Sequence, residues 1–201
     1  MSPAPHPEAP GGTVADGMGA DGTVRVRRVR PGDGTGIARV RLAGWQHAYR
    51  GIVPAAYLDA MRPDPEHRER QVRAPAPGSA AYVAETAETA GGEPTIVGWL
   101  AAGPARDADA PEGAAEIYGC YVDPGRARLG VGRRLMAAAL AETGPGVPVL
   151  LWVLKDNRAA RRFYENAGFR ADGAEQALDR GDPVLDAVRE VRYLLPAGAR
   201  Q

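Results

Sequence analysis

Hydrophobic positions along the chain change period several times, and each change marks an element. From Thr23 to Val29, Val24, Val26 and Val29 are interleaved with arginines, the pattern of a half-buried strand. Pro31-Gly32-Asp33 then signals a turn and a helix start. Ile37, Val40, Leu42, Trp45 and Tyr49 recur near helical spacing, so Ile37 to Tyr49 reads as a helix. Pro54 opens a short second helix carrying Tyr57, Leu58 and Met61, and the polar stretch Asp64 to Arg73 reads as a third. Ala80 to Thr86 and Thr95 to Ala102 are strands joined as a hairpin through Gly91-Gly92. A Pro/Asp/Ala-rich loop from Gly103 to Gly113 leads to a strand from Ala115 to Val122. Val131 to Glu142 is an amphipathic helix, and Val147 to Leu154 is apolar enough for a buried parallel strand. A helix from Arg158 to Ala167 follows, then two strands, antiparallel to each other, from Phe169 onward and from Ala187 to Leu195. This mixed order points to an α/β sandwich around one sheet.

Composition narrows the picture. The 201 residues suffice for one domain with a real core. Residues 1–22 are rich in Pro, Gly and Ala and nearly lack large apolar side chains, so they are expected to form a disordered tail. The domain is expected over 23–196, with a short tail at 197–201. Basic and acidic residues balance at 25 each, so no global field recruits nucleic acid or an anionic membrane. Of the basic residues only Lys155 is lysine; abundant Arg together with Ala, Gly and Pro reads as codon bias rather than phosphate recognition. Cys120 is the one cysteine, which excludes an internal disulfide and fits a cytoplasmic protein. No basic-then-apolar leader and no apolar span of ~20 residues is visible. The scattered His6, His47 and His67 make no metal-ligand pattern.

Two motifs carry the candidate chemistry. In the first, Tyr121-Val122-Asp123-Pro124 ends a strand, and Gly125 to Leu135 runs through a glycine-containing loop into a helix opening near Gly130. A helix N-terminus presents unpaired N–H groups and partial positive charge, and so holds phosphate. Gly130 and Gly132 let a ligand approach the backbone, and Arg128 and Arg133 can add charge-assisted bonds. No Gly-Lys-Ser/Thr triplet follows, and Leu135 stands where a dinucleotide fingerprint needs a small residue. In the second motif, Asn157 caps a helix whose Ala160, Phe163, Tyr164 and Ala167 form one packed face, and Gly168 stops it. Taken alone, the loop can simply turn the chain and Tyr164 can simply be a core aromatic.

Together, the Val-Asp-Pro turn, the Gly-x-Gly and the Asn157…Ala160…Phe163-Tyr164-Glu165…Gly168-Phe169 run resemble the GNAT acetyltransferases, over roughly Glu116 to Phe169. Trp45 to Gly51 resembles the early acceptor-side segment of that family. The resemblance implies an α/β (α+β) fold: a central mixed, mostly antiparallel sheet of about seven strands, helices on both faces, splayed between the fourth and fifth strands. It implies acetyl-CoA as co-substrate, no metal, and transfer of the acetyl group to a primary amine of a small molecule or peptide in a ternary complex. A homodimer is compatible with it. In this likeness Cys120, Tyr121 and Val122 flank or bond the pantetheine arm; Arg128, Leu129, Gly130, Val131, Gly132 and Arg133 cradle the pyrophosphate; Asn157 bonds the pantetheine amide; and Tyr164 stands near the thioester sulfur. One departure is Ala127, where the family often has Gln or Arg.

The implied chemistry needs a proton acceptor, an oxyanion donor and an acid for the departing thiolate. Tyr164 suits the acid, and a main-chain N–H near Tyr121–Val122 the oxyanion. Some relatives carry a Glu five residues before the Asn; Trp152 occupies that place here. Glu116 is the remaining acidic residue on a central strand, expected by strict alternation to share a face with Tyr118, Cys120 and Val122. It is either the base or a solvated strand-end charge, with water as the alternative proton acceptor. Cys120 as a nucleophile lacks a nearby histidine. Trp45, Tyr49 and Tyr118 are candidate acceptor-pocket residues, with aromatic core packing as the competing reading for the first two. A non-catalytic acyl-CoA sensor on the same fold is the alternative to an enzyme.

Overall fold

The computed structural model describes residues 24–86, 94–178 and 181–199. The expected tail at 1–22 and the Gly91-Gly92 turn lie outside them. The elements run β1 (Val24–Arg28), α1 (Gly34–Ala48), α2 (Ala55–Ala60), α3 (Pro65–Arg73), β2 (Ala80–Thr86), β3 (Thr95–Pro104), β4 (Ala115–Val122), α4 (Val131–Thr143), β5 (Val149–Leu154), α5 (Arg158–Asn166), β6 (Arg170–Ala177) and β7 (Arg189–Leu195). Short 3₁₀ turns at Pro124–Arg126 and Pro183–Leu185 were not expected from the sequence. Helix α1 starts one turn earlier than its apolar spacing suggests. Asp33, at its N-cap, takes a two-pronged bond from Arg27 of β1, at 2.7 and 2.9 Å.

The seven strands form one sheet in the order β1-β2-β3-β4-β5-β7-β6. Every neighbouring pair is antiparallel except β4 with β5. The larger core lies under α4 and α5, where Leu135, Met136 and Tyr164 meet Leu100, Ile117, Leu151 and Phe169. The opposite face packs on α1 and α2, with Trp45, Leu58 and Leu154 in one cluster and Ile37, Val40 and Trp99 in another. Helices therefore cover both faces, as expected.

Strand β4 departs from strict alternation. Its register against β3 steps from Ala101↔Gly119 to Ala102↔Ile117, so Tyr118 is an extra, bulged residue. Ala115, Ile117, Cys120 and Val122 consequently point into the core beneath α4 and α5, while Tyr121 packs on α1. Glu116 thus does not share a face with Cys120 and Val122. The single inserted residue reverses the alternation between them.

Candidate active site

Strands β4 and β5 are hydrogen-bonded neighbours only where Ala115–Ile117 face Val149–Leu151. Beyond that, Gly119–Val122 keep their partners in β3 but have none in β5, so one edge of β4 turns its backbone groups to the gap. The gap holds a cavity of about 390 Å³. Cys120, Tyr121 and Val153 line its floor together with Asn157, Ala160 and Tyr164 of the β5–α5 corner.

The corner is set by local sequence. Asn157 Oδ1 accepts from the Ala160 N–H at 3.1 Å and caps α5. One helical face then carries Tyr164 inward, where its ring meets Phe163 and Phe169 edge-on. Burial, reinforced by Cys120 and Tyr121, holds the Tyr164 phenol well above its ordinary value, so it stays protonated. Burial likewise pushes the Cys120 thiol up to about 12, which leaves it a poor nucleophile at neutral pH.

Helix α4 begins beside this cavity. Its first intrahelical bond runs from the Arg134 N–H to Gly130 O at 3.0 Å, so the N–H groups of Val131, Gly132 and Arg133 precede the ladder. Gly130 caps the helix at φ +74°, and Arg128 is also left-handed at φ +67°. A Cβ on Gly132 would lie 3.4 Å from the Phe163 ring and 3.7 Å from Val122, which places the helix mouth next to both β4 and α5. Leu129, Arg128 and Arg133 are exposed around it.

At the other end the cavity is polar. Glu116 is 2% exposed, and Arg106 grips it: the Arg106 main-chain N–H and Nε donate to Oε2 at 3.1 and 3.0 Å, and Nη2 donates to Oε1. The same guanidinium lies 4.4 Å over the Tyr118 ring, whose hydroxyl donates to Pro104 O at 2.7 Å. Burial first, then Glu116, raises the Tyr118 phenol. Tyr49 enters from the end of α1; burial and then Tyr121 hold its phenol well above the ordinary value.

Of the three acceptor-side expectations, Tyr49 and Tyr118 line the cavity and Trp45 does not. Trp45 lies one helical turn back, edge-on to Tyr49 at 4.5 Å, and donates from Nε1 to the Tyr121 hydroxyl at 2.8 Å. It lines a separate cleft of about 210 Å³ with Arg41, Tyr57 and Arg68. It supports the wall rather than forming it. Arg106, Asp107, Trp152, Gln176 and Glu190 also line the central cavity. Sequence reading missed their part in it, because they come from a loop and three strand segments that meet only in the fold; no local motif marks them. Among the described residues no cluster of potential metal ligands occurs, and no helix is long and apolar enough to cross a membrane.

Residues 42–169 match the family model for the acetyltransferase (GNAT) family. A Mycobacterium tuberculosis protein described as a probable N-acetyltransferase is 30% identical over 158 residues, spanning 75% of this chain and 82% of its own. Among solved structures, the PaiA N-acetyltransferase of Thermoplasma acidophilum in complex with coenzyme A superposes with a TM-score of 0.62 at 16% identity, over 87% of this chain and 99% of that one. The ribosomal-protein-S18-alanine N-acetyltransferase of Escherichia coli gives 0.59 at 14% identity, over 87% and 94%. At those identities the structural likenesses speak to the fold, while the family match and the mycobacterial relative fix descent: the chain belongs to the GNAT acetyltransferase family.

Proposed function

We propose that this chain transfers the acetyl group of acetyl-CoA to a primary amine by direct attack. One observation carries the reading: the parted edge of β4 and the Asn157–Tyr164 face of α5 line a single cavity, and the open N-terminus of α4 lies against Val122 and Phe163 of the same two elements. These residues fit an acyl-CoA. The α4 N–H groups with Arg128 and Arg133 suit a pyrophosphate. The gap-facing main-chain edge of Cys120–Val122 and the Asn157 side chain, whose Oδ1 is committed to the cap, suit the amides of a pantetheine arm. Acetyl-CoA supplies an activated thioester carbonyl. The protein's own work is then placement and proton handling. Main-chain N–H groups of the β4 edge meet the negative charge that develops on the carbonyl oxygen. As the amine nitrogen bonds to the carbonyl carbon and the C–S bond breaks, Tyr164 gives its proton to the sulfur. The amine's surplus proton passes to Glu116, directly or through water.

The test is CoA release with a panel of amines, run with Glu116→Gln. If Glu116 accepts the proton, the variant loses about tenfold or more in kcat/KM at pH 7. It should recover partly at high pH, where the amine arrives neutral. A pH profile of wild-type shape rejects that assignment and leaves water as the acceptor. Retained acetyl-CoA binding without release by any amine would replace the enzyme reading with an acyl-CoA sensor.

A further inference from the structure

We infer that Arg192 is a positioning residue for the polar end of the cavity: it pins the loop 105–114 over β5, and that loop carries the guanidinium that holds Glu116. This rests on the acetyltransfer reading above. Side chains of directly opposed residues lie on the same face of a sheet. The pairs Glu116↔Leu150 and Arg192↔Trp152, with Leu150 and Trp152 two residues apart on β5, put Glu116, Trp152 and Arg192 on one face. Arg192 is 8% exposed, and its guanidinium lies 5.7 Å over the Trp152 ring. The loop reaches over this face from the start of β4 to β7.

No large apolar side chain occurs in 105–114, so the loop cannot hold itself to the sheet by hydrophobic burial. Its ends are joined by the Ala105 N–H, which donates to Ala114 O at 2.9 Å. Between them its anchors are polar, and Arg192 supplies most. Arg192 Nη1 donates to Asp107 Oδ2 at 3.1 Å and to Asp109 Oδ1 at 2.6 Å, and Nη2 donates to Asp109 Oδ2 at 3.0 Å. Its Nε donates to Asp172 of β6 at 2.7 Å, which fixes the fork from the other side. The Trp152 indole N–H adds a second bond to Asp107 Oδ2, at 2.9 Å. Arg106 is the neighbour of Asp107 in the chain, and its side chain is 66% exposed, so packing does not fix it. It grips Glu116 through its main-chain N–H as well as its guanidinium, so the grip depends on where the loop backbone lies. Arg192 thus acts on Glu116 through Asp107, Asp109 and Arg106. A lysine would keep the charge at position 192 but lose the planar fork that spans three carboxylates.

The experiment compares Arg192→Lys with Asp109→Ala, a milder variant, since the Asp109 side chain is 72% exposed and stands outside the cavity. The substrate is whichever primary amine of the CoA-release panel is turned over fastest. Arg192→Lys should lower kcat/KM for that amine by about tenfold or more, and Asp109→Ala by about threefold. Acetyl-CoA affinity by calorimetry should stay within about twofold, because the pins lie away from the α4 mouth. Amide hydrogen exchange should quicken at 105–114 in both variants. In an Arg106→Gln background Asp109→Ala should cost nothing further, because the two residues act in one route. Full additivity of the two substitutions, or an unchanged kcat/KM despite faster exchange, would reduce Arg192 to a structural ion cluster and overturn the inference while leaving acetyl transfer standing. An equal loss of amine turnover and acetyl-CoA affinity would do the same. Should Arg192→Lys fail to fold, Asp109→Ala and its cycle with Arg106→Gln decide. Failure of every amine to release CoA from acetyl-CoA bound to the unaltered protein would remove the transferase reading and this inference with it.

Discussion

The two halves of the β4–β5 pair are built from similar strand residues and end up in opposite environments. In the first half, Ala115–Ile117 and Val149–Leu151 bond to each other, and Ile117 and Leu151 are sealed in the core at 3% and 1% exposure. In the second, Tyr118–Val122 and Trp152–Leu154 have parted, and the same two strands border a cavity with tyrosines, a thiol and carboxylates. Pairing makes a dry support. Its loss, beginning at the Tyr118 bulge, exposes backbone groups that only a ligand or water can satisfy. The paired half, Glu116 apart, should therefore govern stability, and the parted half most of the catalysis.

The largest expected effect lies in the parted half. Tyr164→Phe keeps the ring packing and removes the proposed proton donor, so kcat should fall by about 10²–10⁴-fold while the melting temperature barely moves. Because the phenol is raised above its ordinary value and the proposed role uses its protonated form, any alkaline loss of kcat due to Tyr164 should fall above pH 10. A loss near neutral pH must come from another group. A kcat within twofold of the parent would make Tyr164 a packing residue.

In the paired half the contrast should reverse. Leu151→Ala leaves a cavity in the sealed core and should cost about 2–5 kcal/mol in urea unfolding, with the site chemistry intact in the folded fraction. Gly130→Asp comes next. It puts a side chain at a left-handed position and a negative charge at the α4 mouth, and should weaken acetyl-CoA binding by calorimetry about tenfold or more. Unchanged affinity in a folded variant would remove the pyrophosphate assignment. The smallest effect is expected at Cys120. With its thiol near 12 it is protonated at pH 7, so Cys120→Ala should keep kcat within about threefold. Loss of turnover together with a trapped acetyl-enzyme would revive the covalent route.

Much of the site's α5 corner was legible because its rules are local. Asn157 is an N-cap, the i, i+3, i+4, i+7 face carries Tyr164 inward, and Gly168 ends the turn at φ +95°. The α4 mouth was legible for the same reason. Glu116 does line the cavity, but the face it was expected to share with Cys120 and Val122 was misjudged, since alternation holds only until a bulge intervenes and Tyr118 carries no sign of one. Arg106, which grips Glu116, comes from an irregular loop whose composition says only that it turns.

The sequence by itself determined the element order, the glycine-capped start of α4 and the α5 face. Each depends on hydrogen bonds and side-chain spacings within a few residues, and these survive whatever the rest of the chain does. Only the tertiary structure decided which wall each acid joins, that Tyr49 reaches the cavity while Trp45 stands behind it, and that Glu116, Trp152 and Arg192 share one face. Those outcomes depend on register across strands far apart in sequence, where one inserted residue reverses a face and no local pattern records the choice.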